Sequence, residues 1–114
     1  MTAYDDVLED IRGFVKERDW SQFHDPKNLA MAVASEAGEL LSELRWIEGP
    51  AADTHCRDPD TRQAVVDEIC DVAVCLLMLA DRIDLDLLPA IHEKMKKNRA
   101  KYPTSDWRRK SNDP

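Results

Sequence analysis

Glycine is scarce in this sequence, with three residues in 114, and no stretch alternates polar and apolar side chains convincingly, so nothing points to a sheet. Cysteine is scarce too. Cys56, Cys70 and Cys75 are odd in number and form no CxxC pair. The last two fall five residues apart on one predicted helix, where they point in different directions, which argues against a disulfide framework and against a structural zinc site. Reduced thiols are expected. No apolar run reaches 18 residues, and the opening MTAYDDVLEDIRG lacks the basic and then apolar order of a signal peptide, so the expectation is a soluble, cytoplasmic protein. An excess of positive charge is missing as well: 16 Lys and Arg face 23 Asp and Glu, for a formal charge of −7 and a pI near 4.9. That balance argues against a nucleic-acid polymer or an anionic membrane as partner, and a polyanionic substrate would need a bound cation. Phosphate-binding P-loops, GxSxG elbows, HExxH pairs and Cys/His nucleophile spacings are all absent.

What is present is helical periodicity. Alanine, leucine, glutamate, lysine and arginine dominate. Tyr4, Val7, Leu8, Ile11, Phe14 and Val15 repeat at helical spacing behind Thr2-x-x-Asp5, predicting a first helix from about Ala3 to Arg18. The stretch Asp19 to His24, DWSQFH, breaks the period and reads as a loop rich in aromatics. Asp25-Pro26 opens a second helix, roughly 27 to 48, which Gly49-Pro50 is expected to close. Asp58-Pro59 opens a third, where Val65, Ile69, Val72, Leu76, Leu79 and Ile83 are spaced as a core stripe. Its run VAVCLLMLA is apolar on every side, which implies burial against a partner subunit. A fourth helix starts near Asp86 or Pro89 and ends at Tyr102-Pro103. Residues 1–103 thus read as one all-α domain of four helices. The tail 104–114, TSDWRRKSNDP, is expected to be mobile or to lie over a neighbour through Trp107.

Two carboxylate pairs carry the chemistry. Glu36 and Glu39 lie three apart on the second helix, and Glu68 and Asp71 do the same on the third. A lone ExxE is ordinarily a solvated stripe. Here Glu36, Glu39 and Glu43 share their side of the helix with Leu29, Ala32, Leu40, Trp46 and Ile47, while Ser35, Ser42 and Arg45 mark the polar side. The stripe through Glu68 and Asp71 runs on into Cys75, Met78 and Leu79. Four carboxylates in a partly apolar cleft repel one another and lose hydration unless protons or cations compensate. All-oxygen ligation favours Mg²⁺, with Mn²⁺ as a substitute. A di-iron bundle is disfavoured, because none of His24, His55 or His92 has a glutamate three residues before it.

The segments SEAGELLSELRW and DEICDVAVCLLMLA resemble the MazG-like, all-α nucleoside triphosphate pyrophosphohydrolases, especially their dCTP pyrophosphatase branch, over roughly residues 5 to 103. The family pattern of ExxE, a spacer and ExxD is met by Glu36, Glu39, Glu68 and Asp71, with 28 residues between the halves. RDWSQFHDPKNL, Trp46 and KMKKNRAKYP fit the same branch. The resemblance implies a four-helix bundle paired as a dimer or dimer of dimers. It also implies hydrolysis between the α and β phosphorus atoms, giving a monophosphate and pyrophosphate, with dCTP as the first substrate and dUTP, dATP or damaged dNTPs as alternatives. By the same resemblance Trp20, His24 and Trp46 enclose the base, and Lys94, Asn98, Arg99, Lys101 and Tyr102 meet sugar and phosphates. Glu36 is the candidate general base, and Glu39, Glu68 and Asp71 are the firmer metal ligands. Cys75 stands where the branch carries a pocket tyrosine, which leaves base preference open.

Plainer readings accompany these. Trp20 and Trp46 would serve equally as core aromatics, His24 as a loop cap, and Lys94, Arg99 and Lys101 as cations suited to a helix's last turn. The competing function is a non-catalytic helical oligomerisation or regulatory module whose acidic residues only keep it in solution.

Overall fold

The structure, a computed structural model, describes residues 1–107, the side chain of Trp107 excepted. Thr2 sets the first helix, α1 (Ala3–Glu17): its hydroxyl accepts from the Asp5 N–H at 3.1 Å, and the Asp5 carboxylate accepts from the Thr2 N–H at 3.1 Å. This reciprocal box satisfies two N–H groups that a helix start otherwise leaves open. Arg18, expected inside the helix, is its cap. Asp19 then takes a left-handed conformation at φ 53, tolerable for a short polar side chain. Behind it Trp20–Phe23 winds into a short 3-10 helix rather than the expected loop.

The second helix, α2 (Pro26–Leu44), starts where Asp25 accepts from the Asn28 N–H at 2.7 Å, and it stops four residues short of the expected end. A helix the sequence reading did not anticipate follows, α3 (Gly49–Arg57). Gly49-Pro50, read as a stop, is instead its first turn, where proline's missing N–H costs nothing. Asp58 both closes α3, with its N–H on the Thr54 carbonyl at 2.8 Å, and opens α4 (Pro59–Arg82), with its carboxylate accepting from the Asp60 N–H at 2.9 Å. The count of four helices is thereby corrected.

Met1–Asp84 forms one compact unit. In it α2 lies along α4, while α1 and α3 pack on α4 as well. Ile11, Leu29, Val65 and Ala80 are its buried apolar residues. The all-round apolar α4 is only half covered in a single copy, with Ile69 51% and Leu76 44% exposed. Among the described residues, those from Leu85 to Trp107 belong to a second unit. It holds α5 (Leu87–Lys101) and one helical turn, α6 (Thr104–Trp107), which begins inside the expected tail. Residues 108–114 of that tail lie outside the described residues. Among the described residues no helix is long and apolar enough to cross a membrane.

Candidate metal centre

Midway along α2, Glu36 meets Glu68 and Asp71 of α4, so that one carboxylate oxygen from each lies within 4.8 Å of the others. Both Glu36 and Glu68 are half-buried and Asp71 is exposed. Earlier in α2, Leu29 shares a cavity wall with Met78 and Asp81 later in α4, so the two helices run antiparallel and cross at the acidic trio. The sequence spacing made this possible, since carboxylates three apart on each helix project from similar sides.

Glu68 is the centre of the cluster. Its Oε2 is buried and has no hydrogen-bond partner. Such a group is rare in native proteins and points to a missing ligand. Burial first, and then the charges of Asp71, Glu36, Glu39 and Glu43, push the Glu68 carboxyl above its ordinary pKa. Three hard oxygens, one of them buried and unpartnered, fit a divalent cation of the Mg²⁺ or Mn²⁺ kind. Half-buried Cys75 borders the same region, and its thiol is held neutral: burial, then Glu36 and Asp71, raise its pKa. Glu39 stands outside the trio and is exposed. Three residues turn a helix by about 300°, so Glu39 fans about 60° away from Glu36.

Two cavities lead away from the trio. One of about 330 Å³ lies between α1 and α4 and reaches Asp71, with Asp10 and Phe14 on its rim. A second, of about 420 Å³, is lined by Arg12, Lys16, Ser21, His24 and Asp81. Ile11 and Met78 wall both, so the two adjoin. Arg12 grips Asp81 with two bonds, Nε to Oδ2 at 3.0 Å and Nη2 to Oδ1 at 2.5 Å. Neither residue is singled out by sequence reading, because one arginine and one aspartate 69 positions apart carry no local pattern.

The aromatic candidates separate. Trp20 packs edge-on against Phe14 at 5.4 Å and against His24 at 6.4 Å, at the start of α2. Trp46 lies beyond the other end of α2, 84% exposed, with the Arg45 guanidinium 5.1 Å from its ring centre. The helix between Asp25 and Arg45 spans about 30 Å at 1.5 Å per residue. One copy therefore does not bring Trp46 to Trp20 and His24. Lys94, Asn98 and Lys101 recur at helical spacing on α5, and Arg99 lies beside them. The Lys101 ammonium sits 5.3 Å from the Tyr102 ring, and Asn98 Nδ2 donates to Met95 Sδ at 3.6 Å.

Comparison with known proteins bears on the family and the fold. A model of the MazG-like family matches residues 32–113. The dCTP pyrophosphatase 1 of Rattus norvegicus is 41% identical over 101 residues, covering 85% of this chain and 59% of that protein. The Homo sapiens dCTP pyrophosphatase 1 gives the same identity and coverage, so the chain spans about 59% of the length of these relatives. The crystal structure of a pyrophosphatase from Archaeoglobus fulgidus is similar at a TM-score of 0.82 and 32% identity, over 90% of this chain and 94% of that one.

Proposed function

This chain belongs to the MazG-like family, and we propose that it hydrolyses deoxynucleoside triphosphates, dCTP first among them, to the monophosphate and pyrophosphate with Mg²⁺ held by Glu36, Glu68 and Asp71. The observation that carries this reading is the buried, unpartnered Oε2 of Glu68 between two further carboxylates. A divalent cation there neutralises phosphate charge and acidifies water. Glu39, exposed one turn from the trio, is left as the carboxylate that accepts the proton, with Glu36 a ligand; this reverses the roles assigned from the sequence.

Trp20 and His24 supply one side of the base site. Trp46 reaches a base only from a second copy, because about 30 Å of helix separates it from them within one. The apolar surface left open at Ile69 and Leu76 supports the same pairing of copies, as a dimer or dimer of dimers. Lys94, Asn98, Arg99, Lys101 and Tyr102 carry the charge and hydrogen-bonding capacity for sugar and phosphate oxygens. Cys75, smaller than the tyrosine the resemblance implies at that position, keeps dATP as the second substrate.

The test is pyrophosphate release from a panel of triphosphates with and without Mg²⁺. Release from dCTP that depends on Mg²⁺ and vanishes in Glu39→Gln and Glu68→Gln is expected. Turnover that persists in excess chelator, or in Glu68→Gln, would sink the proposal.

A further inference from the structure

We propose that the Arg12–Asp81 pair reads the edge of the base and selects cytosine against uracil and thymine. This rests on the triphosphate reading above. Asp71 and Asp81 are ten residues apart on one unbroken helix, about 15 Å along its axis. The two cavities lie side by side along the α1 side of α4, one reaching Asp71 and the other Asp81, with the Ile11 and Met78 side chains bordering both. A nucleotide whose phosphates lie on the acidic trio therefore extends its far end into the larger cavity, where the ion pair stands.

The pair has capacity to spare. A guanidinium carries five N–H donors and an ionised carboxylate about four acceptor positions, and the two bonds between them use two of each. It is also open to the cavity, since the Arg12 and Asp81 side chains remain 58% and 31% exposed. Lys16 and Arg82 on the same wall can donate but not accept. Asp19, the other carboxylate there, already takes the Gln22 amide at 3.4 Å. Asp81, held by two bonds, is the fixed acceptor of this cavity, and Arg12 keeps it ionised, so that it accepts only.

Cytosine presents an amino group beside two acceptors, the ring N3 and O2. The amine meets Asp81 and the acceptors meet Arg12, a pairing of the kind seen when proteins read base edges in DNA. Uracil and thymine carry a carbonyl where cytosine has the amine. Against Asp81 that oxygen faces a carboxylate, leaving two acceptors opposed and neither satisfied, the arrangement that rejects a wrong substrate most effectively.

The test compares kcat/KM for dCTP, dUTP and dTTP in the wild type, in Asp81→Asn, and in the exchanged double variant Arg12→Asp with Asp81→Arg. In the wild type, dCTP is expected to lead dUTP by about tenfold to a hundredfold, as for one well-placed polar pair. Asp81→Asn places an amide that can donate to the uracil carbonyl, so the ratio should fall at least about tenfold, chiefly through KM. The exchanged pair should keep the brace between α1 and α4, and hence wild-type thermal stability, while losing the preference; it tests the idea even if Asp81→Asn folds poorly. A dCTP to dUTP ratio unchanged in either variant, with all substrates slowed alike, would make the pair a brace only and overturn the proposal. Wild-type preference for dUTP or dTTP would overturn it too while leaving the pyrophosphohydrolase reading standing. No pyrophosphate from any triphosphate would remove both.

Discussion

Leu29 is the most buried of the core side chains, 2% exposed, and it also walls the larger cavity, so Leu29→Ala tests core and site together. Deleting a buried leucine to alanine removes its transfer free energy and leaves a hole, at a combined cost of about 2.7 to 5 kcal/mol in a well-studied series. The hole here opens onto a cavity already about 420 Å³ in size, which water can enter. The residual void is therefore partly solvated, and the cost falls towards the lower end, about 3 kcal/mol. For a domain near this length each kcal/mol moves the melting midpoint by about 4 °C, so a fall of about 10 to 15 °C is expected. Differential scanning calorimetry at two protein concentrations measures it. Ile69→Ala serves as the contrast, since Ile69 is half exposed in one copy. Its effect should be small unless copies associate, and should then grow with dilution. A fall of less than about 4 °C for Leu29→Ala would refute the reading of Leu29 as a tightly packed core side chain where α2 begins against α4.

Glu68→Gln should raise the metal-free melting temperature, because it removes a charge that burial and four neighbouring carboxylates disfavour, and should abolish the rise that Mg²⁺ gives the wild type. Equal Mg²⁺ responses in the two proteins would contradict this. Since the folded pKa of Glu68 lies above its ordinary 4.5, its ionisation costs stability at neutral pH; the chelated wild type should therefore gain stability as pH falls through the folded value, a gain missing in Glu68→Gln. Asp81 has the opposite sign. Arg12 lowers its pKa, so its contribution is complete above the ordinary 3.8 and disappears as pH falls through the depressed value, and Asp81→Asn should erase that acid limb in a urea titration against pH. Trp46→Ala should leave the melting temperature within about 2 °C, the side chain being 84% exposed, yet weaken dCTP binding about five- to 150-fold by calorimetry. Unchanged binding would remove Trp46 from the base site.

Much of the fold is written locally. The Asp-Pro pairs before α2 and α4, and the Thr2 box before α1, are start signals whose physics is complete within four residues, and each helix begins where they say. The Gly49-Pro50 pair is ambiguous on the same scale: proline suits a helix's first turn as well as the chain after a helix, and only packing against α4 decides. The acidic trio was legible because carboxylates three apart must share a side. That Glu36 meets α4 while Glu39 stays exposed was not, since it depends on how α2 crosses α4. The Arg12–Asp81 pair depends wholly on how α1 docks on α4, and nothing near either residue announces it.

The corner at Asp58 has a mechanical meaning. One residue ends α3 and begins α4, and two further straps cross it: Thr61 Oγ1 donates to the His55 carbonyl at 2.5 Å and Arg62 Nη1 to the Cys56 carbonyl at 3.3 Å. Such a joint has no slack, so α3 and α4 behave as a single bent lever. When the spacing between Glu36 on α2 and Glu68 and Asp71 on α4 widens or narrows, α3 must swing with them. The connection between α2 and that lever is the four residues from Arg45 to Glu48, which include Trp46, so a change in the spacing of the three carboxylates is passed to the aromatic ring through this short segment.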